Sequence, residues 1–139
     1  MRVISVLMAG AVLASCTTGP PQPPMRTAEK QQEYDRLLLG KVPMHPTSCL
    51  PHYRSTDMRT IDDETILFRD GASRTYVAHM QGGCGGLANG QYSLVTRQFG
   101  SPDLCRGDIA RVVDLQSGFQ VGSCVWGDFV PYVRPPARG

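Results

Sequence analysis

TILFRDGASRTYVAHM, residues 65–80, holds two short runs of strand-forming residues, 65–68 and 74–80, on either side of a loop that carries Asp70 and Gly71. Two such runs around a turn signal predict an antiparallel hairpin. The same texture continues outward. QYSLVTRQF (91–99) alternates, with Tyr92, Leu94 and Thr96 on one face and Val95, Arg97 and Phe99 on the other, and Asn89 with Gly90 supplies a turn before it. DIARVVDL (108–115) and FQVGSCVW (119–126) flank Gln116, Ser117 and Gly118, another tight connection. Five or six short strands at this spacing predict a mainly β domain over 45–133, a small antiparallel sheet or barrel-like fold. The end of the chain, VRPPARG, reads as unstructured, with 134–139 as a flexible tail.

On the N-terminal side, AEKQQEYDRLLL predicts a single short helix within 28–40. Thr27 is placed to cap it, Glu29 suits its first turn, and Gly40 stops it. Tyr34, Leu37 and Leu38 form one apolar stripe. A helix this short is marginal alone, so the stripe is expected to dock on the β domain.

Further upstream, Met1 and Arg2 precede an apolar run, VISVLMAGAVLA, at 3–14. That is the length of a signal-peptide core and too short for a bilayer span of roughly 20 residues. The run ends Leu13-Ala14-Ser15-Cys16, which resembles the lipobox of bacterial lipoproteins. The resemblance implies that 1–15 is a signal peptide and that Cys16 becomes the new N-terminus. Its sulfur would take diacylglycerol, joined by acyl chains of the palmitate class. Ordinary secretory cleavage near Ala14, leaving Cys16 a thiol, is the alternative. Thr17, where retained lipoproteins carry Asp, resembles those sorted to an outer membrane facing the periplasm. Pro-rich residues in 16–27 then read as a tether of polyproline II character.

Loss of Arg2 with the leader leaves thirteen basic side chains against twelve acidic. Lysine is scarce and the arginines are scattered, so no basic stripe marks a nucleic-acid partner. A domain of this size buries only about 60–65% of its unfolded surface, which makes covalent staples valuable. Five cysteines are present, and lipidation of Cys16 leaves an even set. Cys49, Cys84, Cys105 and Cys124 are expected to form two structural disulfides. Three connectivities are open; the expected one is Cys84–Cys105, bracketing a hairpin-sized segment, with Cys49–Cys124 tying the start of the domain to its end.

The ordered run of Cys49-Leu50, Ile61-Asp62-Asp63-Glu64-Thr65-Ile66-Leu67-Phe68-Arg69, Tyr76-Val77, Cys84-Gly85-Gly86-Leu87, Leu104-Cys105-Arg106-Gly107-Asp108 and Cys124-Val125-Trp126-Gly127-Asp128-Phe129 resembles a group of small exported bacterial proteins classed as a domain of unknown function. The resemblance spans 49–130 and implies a fold and a compartment. It carries no activity. Trp126 stands where the family's pattern has an aliphatic residue.

Candidate chemistry is sparse. GGCGG at 82–86 has no Gly-Lys-Ser/Thr and no strand-to-helix context, so it reads as a tight loop beside a disulfide rather than a phosphate cradle. RGD at 106–108 reads as a turn in which Asp108 bonds backbone amides. Asp62, Asp63 and Glu64 read as a turn before a strand, although paired carboxylates serve acid–base chemistry elsewhere. Asp62, Asp63, Asp108 and Asp128 are the carboxylates an enzyme would use here. Serines and histidines occur without a nucleophile elbow. His45, Cys49 and His52 lie close in sequence, with His79 further on, but the Cys-x-x-C pair usual in zinc sites is missing. No cofactor is expected. These readings converge on a lipid-anchored envelope protein, a non-catalytic binding or accessory module attached to the membrane and engaging an envelope protein. A His/Cys metal-binding domain and a small periplasmic enzyme using Asp residues are the rival readings.

Overall fold

The computed structural model describes residues 25–51, 57–98 and 100–136. The leader, Cys16, the tether up to residue 24, His52, Phe99 and the last three residues lie outside this described set. The expected helix is present as α1 (Ala28–Leu38), and Thr27 caps it by accepting the Lys30 N–H at 3.2 Å. The rest is mainly β, as the strand pattern predicts. The strands are β1 (Val42–Pro43), β2 (Cys49–Leu50), β3 (Met58–Thr60), β4 (Thr65–Asp70), β5 (Arg74–Gln81), β6 (Tyr92–Thr96), β7 (Leu104–Cys105), β8 (Ile109–Asp114) and β9 (Gln120–Val133).

The 65–80 stretch is the hairpin β4–β5, paired from Thr65 with His79 to Asp70 with Arg74. It sits in a curled antiparallel sheet of order β3-β4-β5-β9-β8-β6. β9 is the spine of this sheet. Its first half pairs β8, and from Val125 to Val133 it pairs β5 on its other side. β1 and Thr47 continue its first edge. The sequence pattern carried this strand only to residue 126, and it continues through Gly127 and Pro131. Both have places in it. A Cβ on Gly127 would lie 2.4 Å from the His79 carbonyl oxygen, where a bulge between Ala78 and Met80 pushes the β5 backbone inward. Phe129 N–H donates to Thr47 O, so the nitrogen two residues on, at Pro131, faces that same irregular edge and costs β5 no ladder bond.

Both faces of the central hairpin are covered, which is why Thr65–Phe68 is buried without alternation. On the concave face Ile66, Phe68, Tyr76, Ala78 and Met80 join Leu104, Val112, Trp126 and Phe129 in the main core. Phe68, Trp126 and Phe129 form an aromatic cluster with centroids 5.6–6.1 Å apart. Trp126 is fully buried, and its indole N–H donates to Thr96 Oγ1 at 3.0 Å, so the large ring needs no aliphatic replacement. On the convex face Leu67 and Val77 receive Tyr34, Leu37 and Leu38, so the helical stripe docks on the sheet. The Lys41 ammonium donates to Leu37 O and Thr75 Oγ1, both at 2.7 Å, closing the C-terminal end of α1 onto β5.

Two disulfides staple the domain, with a pairing that differs from the expected one: Cys49–Cys105 and Cys84–Cys124. The reason is strand adjacency. β2 pairs β7 with Cys49 directly opposite Cys105. Cys84 lies three residues beyond the end of β5, whose Gln81 is opposite Val125 on β9. Cys124 is therefore its natural neighbour. The bridges interleave along the chain rather than nest, because β9 returns between β5 and β8.

Candidate functional site

A cleft of about 560 Å³ opens between the N-terminal end of α1 and the turn that leads into β4. Met25, Lys30, Asp62, Asp63, Glu64 and Asn89 are among its walls. The acidic turn was legible as a motif; its chemistry is decided by what comes to meet it.

Asp62 is only 2% exposed, far from a solvated turn residue. Its Oδ2 accepts Arg26 Nε at 2.6 Å and its Oδ1 accepts the Glu64 N–H at 2.9 Å. Arg26 also donates to Thr65 Oγ1 and stacks 4.3 Å over the Tyr34 ring. This guanidinium therefore joins the entry of α1 to the start of β4. Burial, with Tyr132 alongside, raises the Tyr34 phenol above its ordinary pKa of 10.0.

Asp63 points the other way. Its two carboxylate oxygens accept the N–H groups of Gly86 and Ala88 at 3.1 and 2.9 Å, and its carbonyl accepts Cys84 N–H at 2.8 Å. It thereby holds GGCGG and the 3-10 turn at Leu87–Asn89 against the sheet. Gly86, with φ near +81°, has the Tyr92 ring 2.4 Å from where a Cβ would sit, so this loop tolerates no side chain there.

The other two carboxylates lie elsewhere. Asp108 accepts Cys105 N–H at 2.8 Å and closes the RGD turn, as its position predicts. Asp128 is ion-paired with Arg106 at 3.1 Å on the surface. The structure thus brings Asp62 and Asp63 together at the cleft, and Asp108 and Asp128 at the β7–β8 corner. Each carboxylate accepts at least one hydrogen bond from a backbone amide or a guanidinium. Glu29 and Glu64 are the exposed, unpaired carboxylates of the cleft. Glu64 was named with the turn, and Glu29 was read only as a first-turn residue. Arg26 was not singled out, because the partners that tie it to the acidic turn, Asp62 and Thr65, are 36 and 39 residues away and leave no local signal.

All four domain cysteines are in disulfides, so none offers a thiolate to a metal. Among the described residues no group of three His, Cys, Asp or Glu side chains converges. His45 and His79 are both exposed. No described helix is long and apolar enough to cross a membrane. Compared with protein-family models, with curated proteins and with solved structures, the chain finds no match.

Proposed function

We propose that this chain is a lipid-anchored bacterial envelope protein, attached through Cys16 to a membrane and carrying its disulfide-stapled domain in the periplasm as a non-catalytic binding or accessory module. The observation that carries this reading is the closed cysteine count. Two disulfides consume Cys49, Cys84, Cys105 and Cys124, and the fifth cysteine of the sequence stands at the end of Leu13-Ala14-Ser15-Cys16. Stable disulfides belong to an oxidising compartment, and a Cys beyond an apolar leader is the acceptor a lipoprotein needs.

The module reading is supported by the way the acidic side chains are used. Asp62, Asp63, Asp108 and Asp128 hold the helix entry, the glycine loop and two turns together. The hydrogen bonds these groups accept come from amides and guanidinium groups within the fold, which is the pattern of carboxylates that position backbone. The resemblance to small exported bacterial domains points to the same compartment, and Thr17 favours the outer membrane.

The intact mass of protein extracted from membranes tests the reading. The expected mass lacks residues 1–15, carries a diacylglycerol and further acyl chains on Cys16, and is short two hydrogens for each bridge. An unmodified Cys16 would remove the anchor. Turnover of a substrate in a hydrolase screen, abolished by Asp63→Asn in a folded protein, would remove the non-catalytic reading.

A further inference from the structure

The β8–β9 hairpin ends in a polar Gln116–Ser117–Gly118 turn flanked by two exposed apolar side chains, with its backbone N–H groups internally satisfied. Leu115 is 63% exposed and Phe119 is 73% exposed. Hairpin tips are usually built from polar turn residues that share their amides with water. Here every backbone N–H from 114 to 119 donates within the chain. Asp114 N–H goes to Phe119 O, Leu115 N–H to Gln91 O, and Gly118 N–H to Asp114 O. The N–H groups of Gln116 and Ser117 both go to Asp114 Oδ1, and that of Phe119 to Ser117 Oγ. The Asp114 carboxylate is thereby wrapped by the loop it organises. A segment that leaves water must satisfy its own amides, and this one does while presenting two large hydrocarbon side chains outward.

The place of the tip gives its occupant. Met25, 94% exposed, is the first described residue, and it lines the same cleft as Asn89. Gln91, two residues on, accepts the Leu115 N–H. The chain therefore leaves toward Cys16 from the end of the sheet that carries the tip. From Met25 back to Cys16 the chain has nine residue steps, which reach at most about 30 Å at roughly 3.5 Å each. The opposite end, at the Gly71–Ala72–Ser73 loop, is a full length of β5 further away. We infer that Leu115 and Phe119 dock into the interfacial layer of a phospholipid bilayer beside the anchor, orienting the domain with its β4–β5 loop away from the membrane. This inference rests on the lipid-anchor reading for its geometry. The exposed Glu29 and Glu64 at this end disfavour an anionic surface, so the surface argued for is zwitterionic.

The test uses the full chain purified from membranes and reconstituted in phosphatidylcholine vesicles brominated in the upper acyl chain. Phe119→Trp reports the tip and Ser73→Trp reports the far end; Trp126, buried in the core, is the shared background. The expected result is a blue-shifted, bromine-quenched emission from Phe119→Trp and none of either from Ser73→Trp. Adding Leu115→Asp to Phe119→Trp should reverse most of the quenching. Intact mass of the same sample reads lipidation separately. A lipidated chain with unquenched emission at residue 119 overturns the docking and leaves the anchor standing, as does quenching at both positions or protection at 119 by a co-purifying protein instead of lipid. If Cys16 proves unmodified, the same quenching on vesicles mixed with the purified chain still supports the tip, and its absence overturns it.

Discussion

Arg26 and Asp62 form the contact on which the junction of helix and sheet depends. Removing one partner of a nearly buried ion pair leaves the other charge without compensation and costs several kcal/mol. Arg26 keeps about 17% of its side chain exposed, so water softens the loss. Arg26→Ala is expected to destabilise by about 2–3 kcal/mol in denaturant unfolding; a change under about 0.5 kcal/mol would show that the contact is ornamental. Gly127 and Gly122 offer a contrast within one strand. A Cβ at 127 strikes the His79 carbonyl, whereas at 122 it meets Val112 at an ordinary 3.9 Å. Gly127→Ala should cost about 1–3 kcal/mol, and Gly122→Ala should be neutral or slightly stabilising, both read from thermal midpoints. Asp114 is the acid-sensitive residue. Hydrogen bonds from the Ser117 backbone and hydroxyl hold its pKa below the ordinary 3.8. Its charged form favours the folded loop, so that contribution is complete above the ordinary value and is lost as pH falls through the lowered folded value. Amide exchange at Gln116 and Ser117 should accelerate there, and Asp114→Asn should abolish the step.

The two bridges are elements of unequal standing. Cys84 and Cys124 are buried in the main core, whereas Cys49 and Cys105 are half-buried in the small β2–β7 ladder. On the chain-entropy model, closing loops with separations of 56 and 40 residues is worth roughly 4 kcal/mol each, less in combination because the loops interleave. Limited thiol treatment of the native protein should open Cys49–Cys105 first, since thiol–disulfide exchange requires access to a sulfur. Alkylation and peptide mass mapping would check both the order and the pairing. Recovery of a Cys84–Cys105 peptide from untreated protein would contradict the strand order. The helix depends on the sheet in the same way. Leu37→Ala, which strips part of the cover from Leu67 and Val77, should lower stability by about 1–2 kcal/mol, the half-buried share of a full Leu deletion.

Across the described residues the molecule is a curled sheet with α1 on its convex face, and its cleft and the β8–β9 tip lie at the end where Met25 stands. The fold closes both bridges without Cys16. Cys16→Ala should therefore abolish the acyl mass increment while leaving the unfolding midpoint of the domain within about 1 °C of the parent. A large drop would mean that Cys16 takes part in the fold and would undo the anchor reading.

Local order was readable along the chain. The 65–80 hairpin, the Thr27 cap, the Tyr34–Leu37–Leu38 stripe and the Asp108 turn each depend on residues within a few positions of one another, and alternation or capping chemistry reports such contacts directly. The even set of four domain cysteines announced two staples in the same way. Partner choice was not readable, because it depends on which strands lie side by side. β9 runs on through Gly127 and Pro131 because β5 bulges at His79 and because the proline nitrogen faces the 43–47 segment, whose Met44 N–H donates to the Pro131 carbonyl. That long strand then sets Cys124 beside Cys84 and returns Asp114 to the level of Tyr92. The acidic turn is the clearest case. Asp62 and Asp63 looked like solvated carboxylates until Arg26, from 36 residues upstream, and the amides of Gly86 and Ala88, from 23 and 25 residues downstream, came to neutralise them. Short-range pattern prescribes the strands, the helix and the number of bridges; long-range packing assigns each polar group its partner, because a carboxylate's role is set by whichever donors reach it first when water is removed.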